Sequence, residues 1–384
     1  MDAADLRRLI RSDRLDALLE EAVSTYSPPF AEDPATRVFA RFLEEAGISS
    51  QRQPVAGGAD TGGASRANLV VRVGPQPPAL LWLGHVDTVA AVDEEHASAR
   101  VEEGTLHGLG AADMKSGCAA AVEALRVLLA SGAELHRGLC VALVVGEEEA
   151  GDGAEALAGE VSAPLAVVGE PTGLAPCLEH FGYVECELAA AGARAHAALP
   201  EVGSSAIHAM MDWLLAVLDA RRELERPERI AFNPRAIHGG GDMFAVAERC
   251  TASLDVHMAP ELDPALVGEV VERARLASLD RHPGCRLTAE QTYAARGYRV
   301  APDHPALGPV RAALAETGLP FEPASFRSHS DASPLYHRGT TPVVCGPGRL
   351  EVAHTPHEHV ALAEVHRAAA LYATLFHAAC CRPE

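Results

Sequence analysis

Leu80-Leu81-Trp82-Leu83-Gly84-His85-Val86-Asp87-Thr88 passes from an unbroken apolar run to a glycine, then to a histidine and an aspartate. Such a run suits one strand buried on both faces. In an open α/β sheet, reactive groups sit beyond the carboxyl ends of strands, where loops converge on a crevice. His85 and Asp87 have that address. Two later stretches repeat the pattern: Leu139–Val145 runs into Gly146-Glu147-Glu148-Glu149, and Leu165–Val168 into Gly169-Glu170-Pro171-Thr172. The turn His107-Gly108-Leu109-Gly110 delivers Asp113 to the start of a helix expected over about 114–129. Near the other end, Gly346-Pro347-Gly348 precedes His354-Thr355-Pro356-His357-Glu358-His359.

Taken singly, these residues have ordinary explanations: a structural histidine, a solvated acidic loop, a plain turn. Their conjunction at loop positions of one α/β domain is harder to dismiss. Neighbouring carboxylates repel and resist ionising unless a cation neutralises them. Imidazole with carboxylate ligands suits zinc, cobalt or manganese.

Composition narrows the classes. The 384 residues favour two domains, and 48% hydrophobic residues support a large core. A net charge of -21 argues against nucleic-acid or anionic-membrane partners, which need a basic face. No apolar run approaches the roughly 20 residues of a membrane span. The acidic start Met1-Asp2-Ala3-Ala4-Asp5 lacks the apolar core of a secretory signal. Nine scattered cysteines without a Cys-x-x-Cys pair read as reduced residues of a cytoplasmic protein, several of them in apolar strands. Cys380-Cys381 are expected in a frayed tail.

The pattern predicts a helix over 2–22, another opened by Asp33-Pro34 and ended by Gly47, a flexible loop over 57–63, strands over 68–73 and 79–83, and a short strand over 102–106. After Leu178 the style changes. Val184, Cys186 and Leu188 alternate with Glu185 and Glu187, the mark of a half-exposed strand. The order strand, helix, strand (230–237), strand (249–258), helix, strand (286–292) is that of a ferredoxin-like βαββαβ sandwich. From about Gly297 the earlier style returns. The expected architecture is α/β. A split catalytic domain (1–178 and 294–384), with a mixed sheet between helices, carries an inserted lid or dimerisation domain at 179–293.

Five motifs occur in order: His85-Val86-Asp87-Thr88-Val89, the Gly-x-x-Asp-Met-Lys-x-Gly run at 110–117, the paired glutamates, Glu170-Pro171-Thr172, and Gly346-Pro347-Gly348 with His354-Thr355-Pro356-His357-Glu358. Together they resemble the M20 family of di-metal amidohydrolases and peptidases, whose members include acetylornithine deacetylase, succinyl-diaminopimelate desuccinylase, aminoacylase and carboxypeptidase G. The resemblance spans essentially the whole chain. It implies two divalent metals, zinc first, with cobalt or manganese as alternatives. His85 and Glu170 would hold one, Glu149 and His354 the other, and Asp113 would bridge them. Glu148 would be the general base and Asp87 would fix the tautomer of His85. The pair is placed at Glu148-Glu149 by its distance to Gly151; a slip to Glu147-Glu148 is the alternative.

In the inserted domain, the stretch 192–203 resembles the family segment whose histidine reaches a dimer partner's active site. His196 would there stabilise the oxyanion, which implies a homodimer. Where much of the family has Asp-Ile-Arg, with the arginine on a substrate carboxylate, this chain has Asp255-Val256-His257. His257 is a shorter, conditional cation, and Arg327 is a candidate replacement. Tyr26-Ser27-Pro28 and the closing histidine motif are most similar to the branch that releases lysine or ornithine from an amino-group carrier protein.

The leading expectation is a metal-dependent amide hydrolase that deacylates an N-acyl amino acid, such as an acyl-ornithine, an acyl-lysine or a carrier-linked γ-glutamyl amine. A dipeptidase or carboxypeptidase of the same family is the alternative, and a catalytically silent binding protein on the same fold is the alternative from another class. There is no Gly-x-Ser-x-Gly and no His-Glu-x-x-His. A serine hydrolase and a single-zinc helix-type protease are therefore set aside.

Overall fold

Three strands that are apolar along their length, Pro78–His85, Gly138–Val144 and Leu165–Pro171, form the middle of the main sheet. The computed structural model describes residues 3–56, 66–241 and 244–382. The loop expected over 57–63 lies outside the described residues. The chain divides into two compact units: 1–178, 300–324 and 330–384 in the first, 179–299 and 325–329 in the second. The return to the first unit thus falls at Val300 rather than 294, and a short later segment belongs with the second.

In the first unit the strand order is Gln51–Pro54, Ala67–Val73, Gly138–Val144, Pro78–His85, Leu165–Pro171, Thr341–Gly346. The last four are mutually parallel, and the first two add antiparallel at one edge. A parallel sheet needs cover on its faces. The helix Lys115–Ala130 is buried along most of its length, and Leu362–Cys380 packs against it. Tyr372 on the latter meets Trp82 edge-on at 5.4 Å and donates its hydroxyl to the Cys345 carbonyl at 2.8 Å.

Three local expectations differ from what forms. The helix expected over 2–22 is two, Ala3–Arg8 and Ser12–Ser24. The break is held by buried Glu123, which accepts the Arg11 amide at 2.9 Å and both arms of Arg14. The strand expected over 102–106 is a hairpin, Arg100–Glu102 with Thr105–His107. Glu103 and Gly104 both have positive φ there, the requirement of a tight two-residue hairpin turn. Cys380 is no frayed tail: it is fully buried, and its carbonyl accepts the amides of His136 and Arg137. All nine cysteines are free thiols.

The second unit has the expected βαββαβ order. Its sheet runs Ile230–Gly239, Arg249–Met258, Gly182–Ala191, Arg286–Ala295, all antiparallel. Strict alternation along Gly182–Ala191 sends every second side chain into the core. The helices Ala206–Arg222 and Ala265–Arg281 cover that face, tied together by the Trp213 indole donating to the Val271 carbonyl at 3.0 Å. No helix among the described residues is long and apolar enough to cross a membrane.

Candidate metal centre

The polar residues gather at the carboxyl ends of the parallel strands. His85 and Glu170 lie within the last residues of their strands, each immediately after a glycine. A Cβ on Gly84 would approach Met114 Cε to 2.5 Å, and one on Gly169 would approach Trp82 Cζ2 to 2.5 Å. The two glycines let a floor of Trp82 and Met114 pack beneath the polar cluster. Asp113 comes from the turn that opens Lys115–Ala130. His354 comes from the last loop and holds a positive φ of 59°, uncommon outside glycine and often met at functional positions.

Asp113 stands between two histidines. Its Oδ1 is 3.2 Å from His85 Nε2, and its Oδ2 is 3.5 Å from His354 Nε2. Glu170 Oε1 lies 3.8 Å from His85 Nε2, and Glu148 Oε2 lies 3.2 Å from His354 Nε2. Ligands on a tetrahedral zinc, with bonds of about 2.0–2.1 Å, lie roughly 3.3 Å apart along the edges, and these separations are of that size. Among the described residues, His85, Asp113 and Glu148 offer three ligand atoms that all lie within 4.8 Å of one another.

The acidic triplet sits differently from the expectation. The amides of Ala150 and Gly151 both donate to the Gly146 carbonyl, at 3.0 and 2.7 Å. That tight turn points Glu149 to solvent, where it is exposed. Glu148, not Glu149, meets His354, while Glu147 lies in the field of His85, Asp331 and Asp113. The inward pair is therefore Glu147-Glu148. Asp87 also differs. His85 Nδ1 bonds the backbone carbonyl of Asp87 at 3.1 Å, whereas the carboxylate is 3.7 Å away. The carbonyl acceptor places the proton on Nδ1 and turns Nε2 inward as a lone pair. The Asp87 carboxylate instead accepts the amides of Gly146 and Glu148, each at 2.9 Å. It holds the turn that carries the two glutamates.

The donor set fits a pair of divalent cations. Burial, with Asp113 close by, pushes Glu170 well above the usual carboxylate range. Burial pushes Glu147 up as well, with Asp331 and Glu148 adding to it. The cluster carries more negative charge than its surroundings solvate, a situation that bound cations resolve.

Several supporting residues escaped the sequence reading. Glu358 is 2% exposed and accepts the amides of Ala112 and Asp113. Lys115 is fully buried and donates to the Thr25 carbonyl at 2.9 Å; burial brings it down to about 8. Asp331 is 3% exposed, and burial pushes it up to about 8. Arg66 bridges Glu32 and Asp152 beneath Gly146. Glu358 and Lys115 stand inside motifs quoted above, but nothing marked Arg66.

The remaining expected residues lie in the second unit. His196 is exposed, with Nδ1 accepting the Ala198 amide at 3.1 Å. His257 stands on the helix-free face of the sheet, its ring 5.0 Å from that of Tyr183. Beside it Asp255 accepts from the Tyr183 hydroxyl and from Arg235 Nε, both at 3.1 Å. Arg235 reaches that place through a bulge between Pro234 and Ala236. Arg327 is exposed. It donates to the Glu228 carbonyl at 3.0 Å and lies over the Phe181 ring.

The description Peptidase family M20/M25/M40 matches residues 81–378. The chain belongs to this family, whose members hydrolyse amide bonds with bound metal. It is 28% identical over 338 residues to the acetylornithine deacetylase of Photorhabdus laumondii, covering 84% of each chain. To that of Proteus mirabilis it is 28% identical over 341 residues, covering 85% of this chain and 84% of the other. Among solved structures it is similar to human carnosine dipeptidase 1, with a TM-score of 0.81, 14% identity and 98% of each chain covered. It is also similar to a tripeptidase from Staphylococcus aureus, with a TM-score of 0.77, 21% identity, and 96% of this chain and 98% of that one covered. At such identities the solved structures speak for the fold alone.

Proposed function

We propose that this chain deacylates an N-acyl amino acid, with an acyl-ornithine, an acyl-lysine or a carrier-linked γ-glutamyl amine as the substrate class. The observation that carries the chemistry is Asp113 set between His85 and His354, with one carboxylate beside each histidine. His85 and Glu170 would hold one metal, Glu148 and His354 the other, and Asp113 would serve both. Bound there, divalent metals such as zinc lower the pKa of water and polarise the scissile carbonyl. Glu147 then takes the proton from the attacking water and passes it to the leaving amine. The Nδ1–H bond of His85 to the Asp87 carbonyl keeps its other nitrogen available to metal. The Asp87 carboxylate keeps Glu147 and Glu148 in register.

Similarity to two acetylornithine deacetylases supports the deacylase reading. His257 and Arg327 would meet the substrate's polar end. His196 would stabilise the oxyanion in a partner's site, which makes the working form a homodimer. Nine free thiols fit a cytoplasmic setting.

A panel of N-acyl amino acids and dipeptides, each with zinc, cobalt and manganese, tests this. Faster turnover of acyl-ornithine or acyl-lysine than of any dipeptide is expected. Preferential dipeptide cleavage would replace the deacylase by a dipeptidase. Failure to retain about two equivalents of divalent metal would favour a silent binding protein.

A further inference from the structure

In the first unit a cavity of about 590 Å³ opens among the end of the helix Lys115–Ala130, the turn after Asp33–Glu44 and the end of the strand Ala67–Val73. No residue of the metal centre lines it. Three arginines, Arg14, Arg72 and Arg126, share its wall with Ile48, Val73 and Val127. The volume is that of a small-molecule site.

The arginines differ in how they are compensated. Arg14 grips buried Glu123 with two bonds, at 2.8 and 2.6 Å. Arg72 donates to Gln51 Oε1 at 2.8 Å, and Glu160 is 3.8 Å away. Arg126 is half-buried and donates to the Phe42 carbonyl at 2.7 Å. Among the described residues no carboxylate lies within ion-pair distance of it. Burial and the nearby charge of Arg14 push its guanidinium down, against weaker opposing pulls from Glu123 and Glu45. Glu123 is already taken by Arg14, and Glu45 is exposed, 3.7 Å from Arg41. A guanidinium without a counter-ion, beside a second one, is unfavourable unless an anion joins it. The described residues that line the cavity include three arginines and no carboxylate, in a chain of net charge -21.

The geometry points to a second ligand site here, for a carboxylate carrying a short aliphatic body. The fork of Arg126, on the wall it shares with Arg14 and Arg72, receives the carboxylate, since planar guanidinium matches it in two parallel bonds. Ile48, Val73 and Val127 receive the chain, whose burial adds affinity in proportion to the area covered.

Calorimetric titration of hexanoate into the purified full chain, at fixed ionic strength, tests the site. Inorganic phosphate and hexylammonium are parallel probes. Saturable hexanoate binding is expected, with phosphate weaker and hexylammonium inert. Arg126→Met should weaken hexanoate by roughly 10–100-fold, the span of a charge-assisted pair. Equal affinity in Arg126→Met places the carboxylate elsewhere, the metals included, and overturns the site. So does the absence of saturable binding at about 10 mM, which is below any useful affinity. Phosphate binding as tightly as hexanoate overturns the aliphatic part. If Arg126→Met does not fold, Arg126→Lys keeps the charge without the fork. Loss of affinity there supports the site, and unchanged affinity overturns it.

Discussion

Glu358 accepts the backbone N–H groups of Ala112 and Asp113, at 2.9 and 3.0 Å, from the far end of the chain. The same residue's carbonyl accepts the Gly108 amide at 3.1 Å. Buried and aimed at backbone, Glu358 fixes the position of the aspartate between the two histidines. Supporting residues of this kind typically govern metal affinity by about 10–100-fold. Glu358→Ala should weaken metal binding by that factor, measured by competition with a chelator. Glu358→Gln keeps an oxygen for the two amides and should stay within a few-fold of the parent. An alanine variant with parental affinity would show that the loop holds itself.

The acidic triplet gives three distinct expectations. Glu149→Ala should leave metal content and turnover unchanged, because the side chain faces water. Glu148→Ala should lose about one metal equivalent, since this carboxylate meets His354. Glu147→Ala should keep both metals while turnover falls by about 10²–10⁴, the usual worth of a positioned base. Metal analysis and steady-state rates on the three variants decide it. Loss of metal from Glu149→Ala would restore the register that the spacing to Gly151 suggests.

That register marks the boundary of what the residues alone convey. Apolar runs ending in glycine locate the strand ends, because a doubly buried strand has no other composition. Alternation from Val184 to Leu188 locates the half-exposed sheet for a similar reason. Three consecutive glutamates are chemically identical, so only the turn at Gly146, with φ of 79°, separates inward from outward. Asp87 shows the same limit. A carboxylate two residues after a histidine suggests a direct bond, yet its oxygens find the amides of Gly146 and Glu148, which lie far along the chain. Arg66 was illegible because its partners, Glu32 and Asp152, come from distant segments and none belongs to a motif.

Arg66 should matter for stability. Its side chain is 1% exposed and Glu32 is fully buried, 2.9 Å away, with Asp152 at 2.6 Å on the other arm. Arg66→Met leaves the Glu32 carboxylate buried and unpaired, a change that typically costs about 3–5 kcal/mol. Denaturant unfolding should show that loss. The double variant Arg66→Met with Glu32→Met removes the stranded charge and should recover part of it. A single variant as stable as the parent would mean that water reaches Glu32.

Met211 and Leu215 occupy successive turns on one face of Ala206–Arg222, 49% and 57% exposed. Among the described residues the neighbouring strand Ile230–Gly239 pairs on one side only, and Ile237 on it is 49% exposed. An open strand edge beside an apolar helix stripe is what a two-fold copy of the same chain covers: edge meets edge and stripe meets stripe. If the proposed homodimer forms there, Met211→Glu with Leu215→Glu should give monomers by light scattering while metal stays bound. Should His196 act across the pair, those monomers lose turnover. Mixing His196→Ala with Glu147→Ala should then restore some of it, because a mixed dimer owns one site with both residues. Active monomers would confine His196 to its own chain, and a variant that remains dimeric would move the interface off this face.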